Sequence, residues 1–256
     1  MKKILIIALT LVTVLSCKSD DDNNGAKVGS LNLDFTNIID NNPIELSRGA
    51  YTNGSSETYT ISELKYIISN IVLVKANGEE FKYPVADSYF LINEEVSTSK
   101  EVGLTDITSG EYTKIKFGFG VDQSNYPLNG VNNFIPTAEE SGMLWSWSAG
   151  YKFLKFEGTY SMVGVPNTNT PFLLHVGSHG TTLDNYKEIT LDLPNTLSIS
   201  ANNTANITIK ADVAKIFDST NSHSLQDKSD IQVDPVNAPL IAENVSTMFS
   251  ITNVSN

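Results

Sequence analysis

In the run Tyr112-Thr113-Lys114-Ile115-Lys116-Phe117-Gly118-Phe119, apolar Ile115, Phe117 and Phe119 alternate with Lys114, Lys116 and Gly118. A period of two sends one set of side chains to a hydrophobic interior and the other to solvent, which only an extended strand can do. The same alternation recurs at Ile189, Leu191 and Leu193, and at Ile207 and Ile209. Further strands are predicted at Ser30 to Phe35, Tyr66 to Val74, Tyr89 to Ile92, Tyr151 to Phe156, Phe172 to Val176 and Thr247 to Ile251. Turn pairs punctuate them at Asn53-Gly54, Asn77-Gly78, Ser109-Gly110 and Asn129-Gly130. Many short strands with frequent turns imply an all-β, sandwich-like domain with long loops. Asp212 to Phe217 is expected to form one turn or a short helix, opened by Asp212 as a cap. Asp122 to Gly142 lacks periodicity and is expected to be a long functional loop.

The N-terminus has another character. Lys2 and Lys3 precede an apolar run from Ile4 to Leu15, then Ser16-Cys17. A charged start, a short greasy core and a small residue before the cut make a secretory signal. The run falls short of the about 20 apolar residues that a stable bilayer span needs. Val14-Leu15-Ser16-Cys17 resembles the bacterial lipobox, which implies lipidation of Cys17 and a membrane anchor without a protein span. Lys18 to Gly25 is polar and acidic, as expected of a flexible tether. It also resembles the surface-export signal of Bacteroidetes lipoproteins, although an ordinary solvated linker reads the same way. The expected divisions are a signal peptide at 1–16, lipidated Cys17 with its tether at 17–27, and one β-domain at 28–256. The expected location is the outer membrane, on its periplasmic or cell-surface side.

Composition excludes several functions. Cys17 is the only cysteine, so no intramolecular disulfide, zinc finger or thioredoxin-like site can form. Against 29 acidic residues stand 17 Lys and Arg, with no basic cluster. Nucleic acid is therefore not an expected partner, because binding it requires clustered positive charge. No His-Glu-x-x-His, Walker, Gly-x-Ser-x-Gly or EF-hand motif is present. Glu139-Glu140 has the residue types of a glycosidase pair but reads more simply as solvated loop charge. The expectation is a binding protein and not an enzyme.

The histidines are His175, His179 and His223. On a straight strand, His175 and His179 would stand roughly 13 Å apart, too far to share one ion. A turn at Gly177 would bring them together. Without one, each is an ordinary strand or turn residue. Trp145 and Trp147 share a face if their segment is extended. Such a pair reads as core packing or as a platform for stacking sugars.

Several blocks occur in one order: Ile68-Ser69-Asn70-Ile71-Val72-Leu73, Phe119-Gly120-Val121-Asp122, Gly142-Met143-Leu144-Trp145-Ser146-Trp147-Ser148-Ala149-Gly150-Tyr151-Lys152-Phe153, Lys155-Phe156-Glu157-Gly158 and Phe172-Leu173-Leu174-His175-Val176-Gly177. Together they resemble the MbnP-like family, whose members are common as Bacteroidetes lipoproteins and include copper-binding proteins of methanotrophs. The resemblance implies an exported β-rich protein that binds copper. It implies a kynurenine derived from Trp145 or Trp147 and acting beside imidazoles, with His175 matching the family's histidine block. His179 is then the nearest second imidazole, and Met143 a softer ligand suited to Cu(I). A di-haem protein of the peroxidase type is the implied modifying partner. The chain departs from copper-binding relatives in having no histidine between Trp145 and Phe153 and no cysteine pair. The implied site is then incomplete, rearranged around His179, or absent, and a glycan-binding or structural lipoprotein is the alternative.

Overall fold

The computed structural model describes residues 27–122, 134–145, 150–178, 183–201 and 203–256. Cys17, the signal segment and the acidic tether lie outside these residues, as do Trp147, His179 and the middle of the expected loop. The strands are β1 (Val28–Ile39), β2 (Asn42–Pro43), β3 (Tyr51–Thr52), β4 (Thr58–Val74), β5 (Glu80–Lys82), β6 (Tyr89–Asn93), β7 (Glu101–Thr108), β8 (Gly110–Phe119), β9 (Lys152–Met162), β10 (Val165–Gly177), β11 (Lys187–Ile199), β12 (Thr204–Asp212), β13 (Asp230–Gln232) and β14 (Phe249–Ser255). Two short helices join them, α1 (Phe134–Glu140) and α2 (Asn237–Ser246). No helix among the described residues is long and apolar enough to cross a membrane.

The strands form two sheets, as the alternating pattern predicts. The smaller runs β14-β12-β1-β2, with β7 also on β1. The larger runs β11-β8-β4-β9-β10-β13, with β3, β5 and β6 also on β4. Most pairs are antiparallel, but β1 pairs with β12 and β10 with β13 in parallel. Edge strands β11 and β14 meet and close one side of the sandwich. Asn256 fastens that seam, its Oδ1 accepting from Ser198 N at 2.8 Å and its Nδ2 donating to Thr196 O at 3.2 Å.

Aromatic rings fill the space between the sheets. Phe117 of β8 meets Phe35 of β1 and Phe249 of β14 edge-on, at 6.4 and 5.2 Å between centroids. Tyr66 of β4 meets Phe249 at 5.8 Å. Edge-to-face contacts suit the ring quadrupole and add to the area buried. A second cluster joins Tyr59, Phe156, Phe172 and Phe217. His223 belongs to it, stacked on Phe217, with Nε2 2.8 Å from the Lys228 carbonyl oxygen. It is a core histidine with a partner, and burial holds its pKa below the ordinary value.

Three expectations change. The Asp122 to Gly142 segment is not loop throughout, because Phe134 and Ala138 lie one turn apart on the buried face of α1. Pro136 falls in the first turn of α1, where its missing N–H has no intrahelical partner to lose. Asp212 to Phe217 does form one turn, a 3-10 turn at Val213–Ile216, but the Asp212 side chain makes no cap. The last strand begins at Phe249, since Thr247 closes α2, its backbone N–H donating to the Asn244 carbonyl oxygen at 3.0 Å.

One buried charge ties the loops to the frame. Glu57 is 1% exposed, and its carboxylate accepts from Asn53 Nδ2, Ser224 Oγ, Leu225 N and Gln226 N at 2.6–2.8 Å. Burial pushes this carboxyl up, but the hydrogen bonds from Asn53, Gln226, Leu225 and Ser224 outweigh it and hold the pKa below the ordinary value.

Two stability predictions follow from these contacts. Phe117→Ala should lower unfolding free energy by about 3–5 kcal/mol in chemical denaturation. Glu57→Gln puts an amide donor against backbone donors and should cost about 3 kcal/mol at neutral pH. Because the folded pKa lies below the unfolded one, the carboxylate's contribution is full above the unfolded value and fades as pH falls. The deficit of Glu57→Gln should therefore narrow in acid when wild type and variant are unfolded side by side; a constant deficit would contradict this account.

Candidate functional site

The site lies on the outer face of the larger sheet, where β4, β9 and β10 run together. Phe156 and Leu154 of β9 and Leu174 of β10 point into the sandwich, so Lys155, Glu157 and His175 point outward. In the register of β9 with β10, Glu157 faces Leu173 and Lys155 faces His175. Glu157 and His175 are therefore diagonal neighbours on one face. His175 Nε2 lies 2.7 Å from Glu157 Oε1. The ring is 7% exposed, and its Nδ1 is buried with no hydrogen bond among the described residues.

Charges on β4 extend this row. Glu63 faces Glu157 and Lys65 faces Lys155 across the β4–β9 register. Like charges directly opposite would repel, but the diagonals pair opposite signs. Lys155 Nζ contacts both Glu63 oxygens at 2.9 Å and Glu157 Oε1 at 3.4 Å. Lys65 Nζ is 2.5 Å from Glu63 Oε1. Burial pushes the Glu63 pKa up, and the Lys65 and Lys155 ammonium groups overcome it. The hydrogen bond from His175, aided by Lys155, holds Glu157 down at about 2.

The segment after α1 covers this face. Met143 and Leu144 run antiparallel to Tyr151 and Lys152, through Lys152 N to Met143 O at 2.7 Å and a bridge between Leu144 and Tyr151. Trp145 N reaches Gly150 O at 3.2 Å. Trp145 thereby comes to lie against His175, with ring centroids 6.2 Å apart. The indole is 5% exposed and Met143 is fully buried. Lys152 Nζ stands 5.3 Å from the Trp145 ring centroid and donates to Gly142 O at 2.9 Å. Burial, with repulsion from Lys155, draws the Lys152 pKa below its ordinary value. An ammonium over the indole face is an attractive cation–π contact.

Gly177 matters through space. A Cβ there would lie 2.2 Å from the Tyr151 carbonyl oxygen, so glycine lets the end of β10 approach the Trp145 segment. Beyond it, Asn185 Nδ2 donates to Gly177 O at 2.8 Å and Ser178 Oγ to Asp184 Oδ1 at 2.9 Å.

The structure thus brings His175 and Trp145 together and sets Met143 two residues from Trp145. Trp147 and His179 lie outside the described residues. Among those residues, no group of three or more His, Cys, Asp and Glu side chains could hold a metal ion. Glu139 and Glu140 are exposed at the end of α1. Burial removes Trp145 from any platform that stacks on sugar rings. The residue that spacing could not reveal is Glu157, whose tie to His175 exists only in the register of two strands.

The family model for MbnP matches residues 28–236. The chain belongs to the MbnP family. The solved structure of MbnP from Methylosinus trichosporium has the same fold, with a TM-score of 0.52 over 90% of this chain and 99% of that one, at 12% identity. No curated protein sequence matches the chain.

The packing of the indole can be read directly. In a Trp147→Phe variant, Trp145 is the sole tryptophan, and its emission should be blue-shifted and weakly quenched by acrylamide. Red-shifted, freely quenched emission would contradict the burial described.

Proposed function

We propose that this MbnP-family chain binds copper in the cell envelope, for sequestration or transfer, and carries out no catalysis. The observation that carries the reading is the contact of His175 with Trp145, with the imidazole Nδ1 buried and bare among the described residues. Imidazole suits copper, and a lone pair held out of hydrogen bonding is what coordination requires.

An intact indole is a poor ligand, because its nitrogen lone pair belongs to the aromatic system. Kynurenine frees that nitrogen as an aryl amine. Its formation breaks the indole C2–C3 bond, takes up two oxygen atoms through an outside oxidant, and releases the lost carbon as formate on hydrolysis. In this reading a di-haem, peroxidase-type partner supplies that oxidation, at Trp145 or Trp147. His175 holds the metal through one imidazole nitrogen, and His179 supplies a second imidazole. The Met143 thioether favours Cu(I). Lipid on Cys17 keeps the domain at the outer membrane.

Protein purified from its own host tests this. It should contain copper, and its intact mass should show one tryptophan that has lost a carbon and gained an oxygen. His175→Ala should lower copper affinity by at least about tenfold, the direct cost of removing a ligand being no smaller than that of removing its supporting partner. Metal-free protein with unmodified tryptophan, and no copper uptake in calorimetry, would overturn the reading.

A further inference from the structure

The two nitrogens of His175 have opposite surroundings. Nε2 faces a carboxylate oxygen at 2.7 Å, while Nδ1 is buried without a partner among the described residues. An ionised carboxylate only accepts hydrogen bonds, so the proton between the two groups belongs to Nε2. The neutral ring carries one N–H, which leaves the lone pair on Nδ1.

The carboxylate is itself held. Glu157 Oε1 receives His175 on one side and Lys155 Nζ, at 3.4 Å, on the other. Lys155 is anchored in turn by both oxygens of Glu63. This chain of contacts crosses three strands, so the backbone register fixes the orientation of the imidazole. Trp145, 6.2 Å from the ring, flanks it from the covering segment.

We infer that Glu157 is a positioning residue that locks His175 as the Nε2–H tautomer and so makes Nδ1 the nitrogen a metal ion meets. The metal in this inference rests on the copper reading; the tautomer rests on hydrogen bonding alone. Glu157 needs no contact with the ion. Partners of this kind, which orient a ligand through its far nitrogen, typically contribute 10–100-fold to metal affinity.

The test uses the full chain, wild type and two variants, with 15N-labelled histidine. Long-range 15N–1H NMR of the metal-free protein reports the tautomer. Competition with a copper(I) chelator reports affinity. Wild type should show His175 protonated at Nε2. Glu157→Gln keeps an oxygen that accepts from Nε2–H, so it should retain the tautomer and stay within several-fold of wild-type affinity. Glu157→Leu removes the acceptor; it should lose the fixed tautomer signature and bind copper(I) about 10–100-fold more weakly. Circular dichroism and thermal unfolding establish that each variant folds, and if Glu157→Leu does not fold, the Gln variant and the wild-type tautomer still decide. A wild-type His175 protonated at Nδ1, or a folded Glu157→Leu variant with unchanged tautomer and affinity, would overturn the inference. If wild type takes up no copper, the copper reading fails separately and the tautomer measurement still judges the role of Glu157.

Discussion

A strand of seventeen residues can serve two ends of one sandwich only if it resets which face looks inward, and β4 does so twice. Tyr59 and Ile61 are buried in its first part, then Leu64, Tyr66 and Ile68, then Ile71 and Leu73. The first change coincides with a bulge against β9, between Ile61 and Glu63. The second coincides with one against β8, between Ser69 and Val72, where Asn70 takes a φ of +52°. A bulge adds one residue to one strand, which is the only way to shift a period of two without losing the partner. The first reset has a consequence for the outer face of the sheet. It turns Glu63 and Lys65 outward, onto the face where Lys155 waits, and so supplies the anchor for the row of charges ending at His175.

This explains what could be read in the chain and what could not. Strands β8 and β12 keep one parity over their apolar runs, and Ile115, Phe117, Phe119, Ile207 and Ile209 announce them. In β4, apolar residues appear on both parities, so its N-terminal part merges with the preceding turn region. Helix α2 is legible in principle, since Ala238, Ile241, Ala242 and Val245 are buried at helical spacing. A reading dominated by period two passes over it, and Pro239 disguises it further. The parallel pairing of β1 with β12 leaves no local trace, because nothing near Leu33 specifies Ile207 as its partner.

The site divides in the same way. His175 and Trp145 stand out by residue type and within the blocks that resemble the MbnP family. Their proximity depends on a segment that folds back through Met143, Tyr151 and Lys152 and on the close approach that Gly177 permits. Glu157 sits in plain view in Lys155-Phe156-Glu157-Gly158, where it resembles any outward-facing strand carboxylate. Its role arises from a diagonal contact between strands and from Lys155 bridging to a third. Such partnerships are properties of register, and register is a long-range outcome.

Two buried polar groups show how differently the fold treats structure and site. Glu57 collects four donors around its carboxylate, so its burial is compensated and the loops around Asn53 and Ser224 are fixed. His175 is compensated on one nitrogen only. Leaving a buried acceptor bare costs about 1–3 kcal/mol. A bare atom is not by itself a site, since the Tyr59 hydroxyl and Asp212 Oδ1 are also unpaired among the described residues. What sets His175 apart is asymmetry. One nitrogen is held by a carboxylate that a lysine holds in turn, and the other is turned away from it, on a ring packed beside Trp145. Packing alone would be served as well by a leucine at this position. In the copper reading, a nitrogen lone pair held in a fixed direction accounts for a histidine on this strand and a carboxylate on the next strand to aim it.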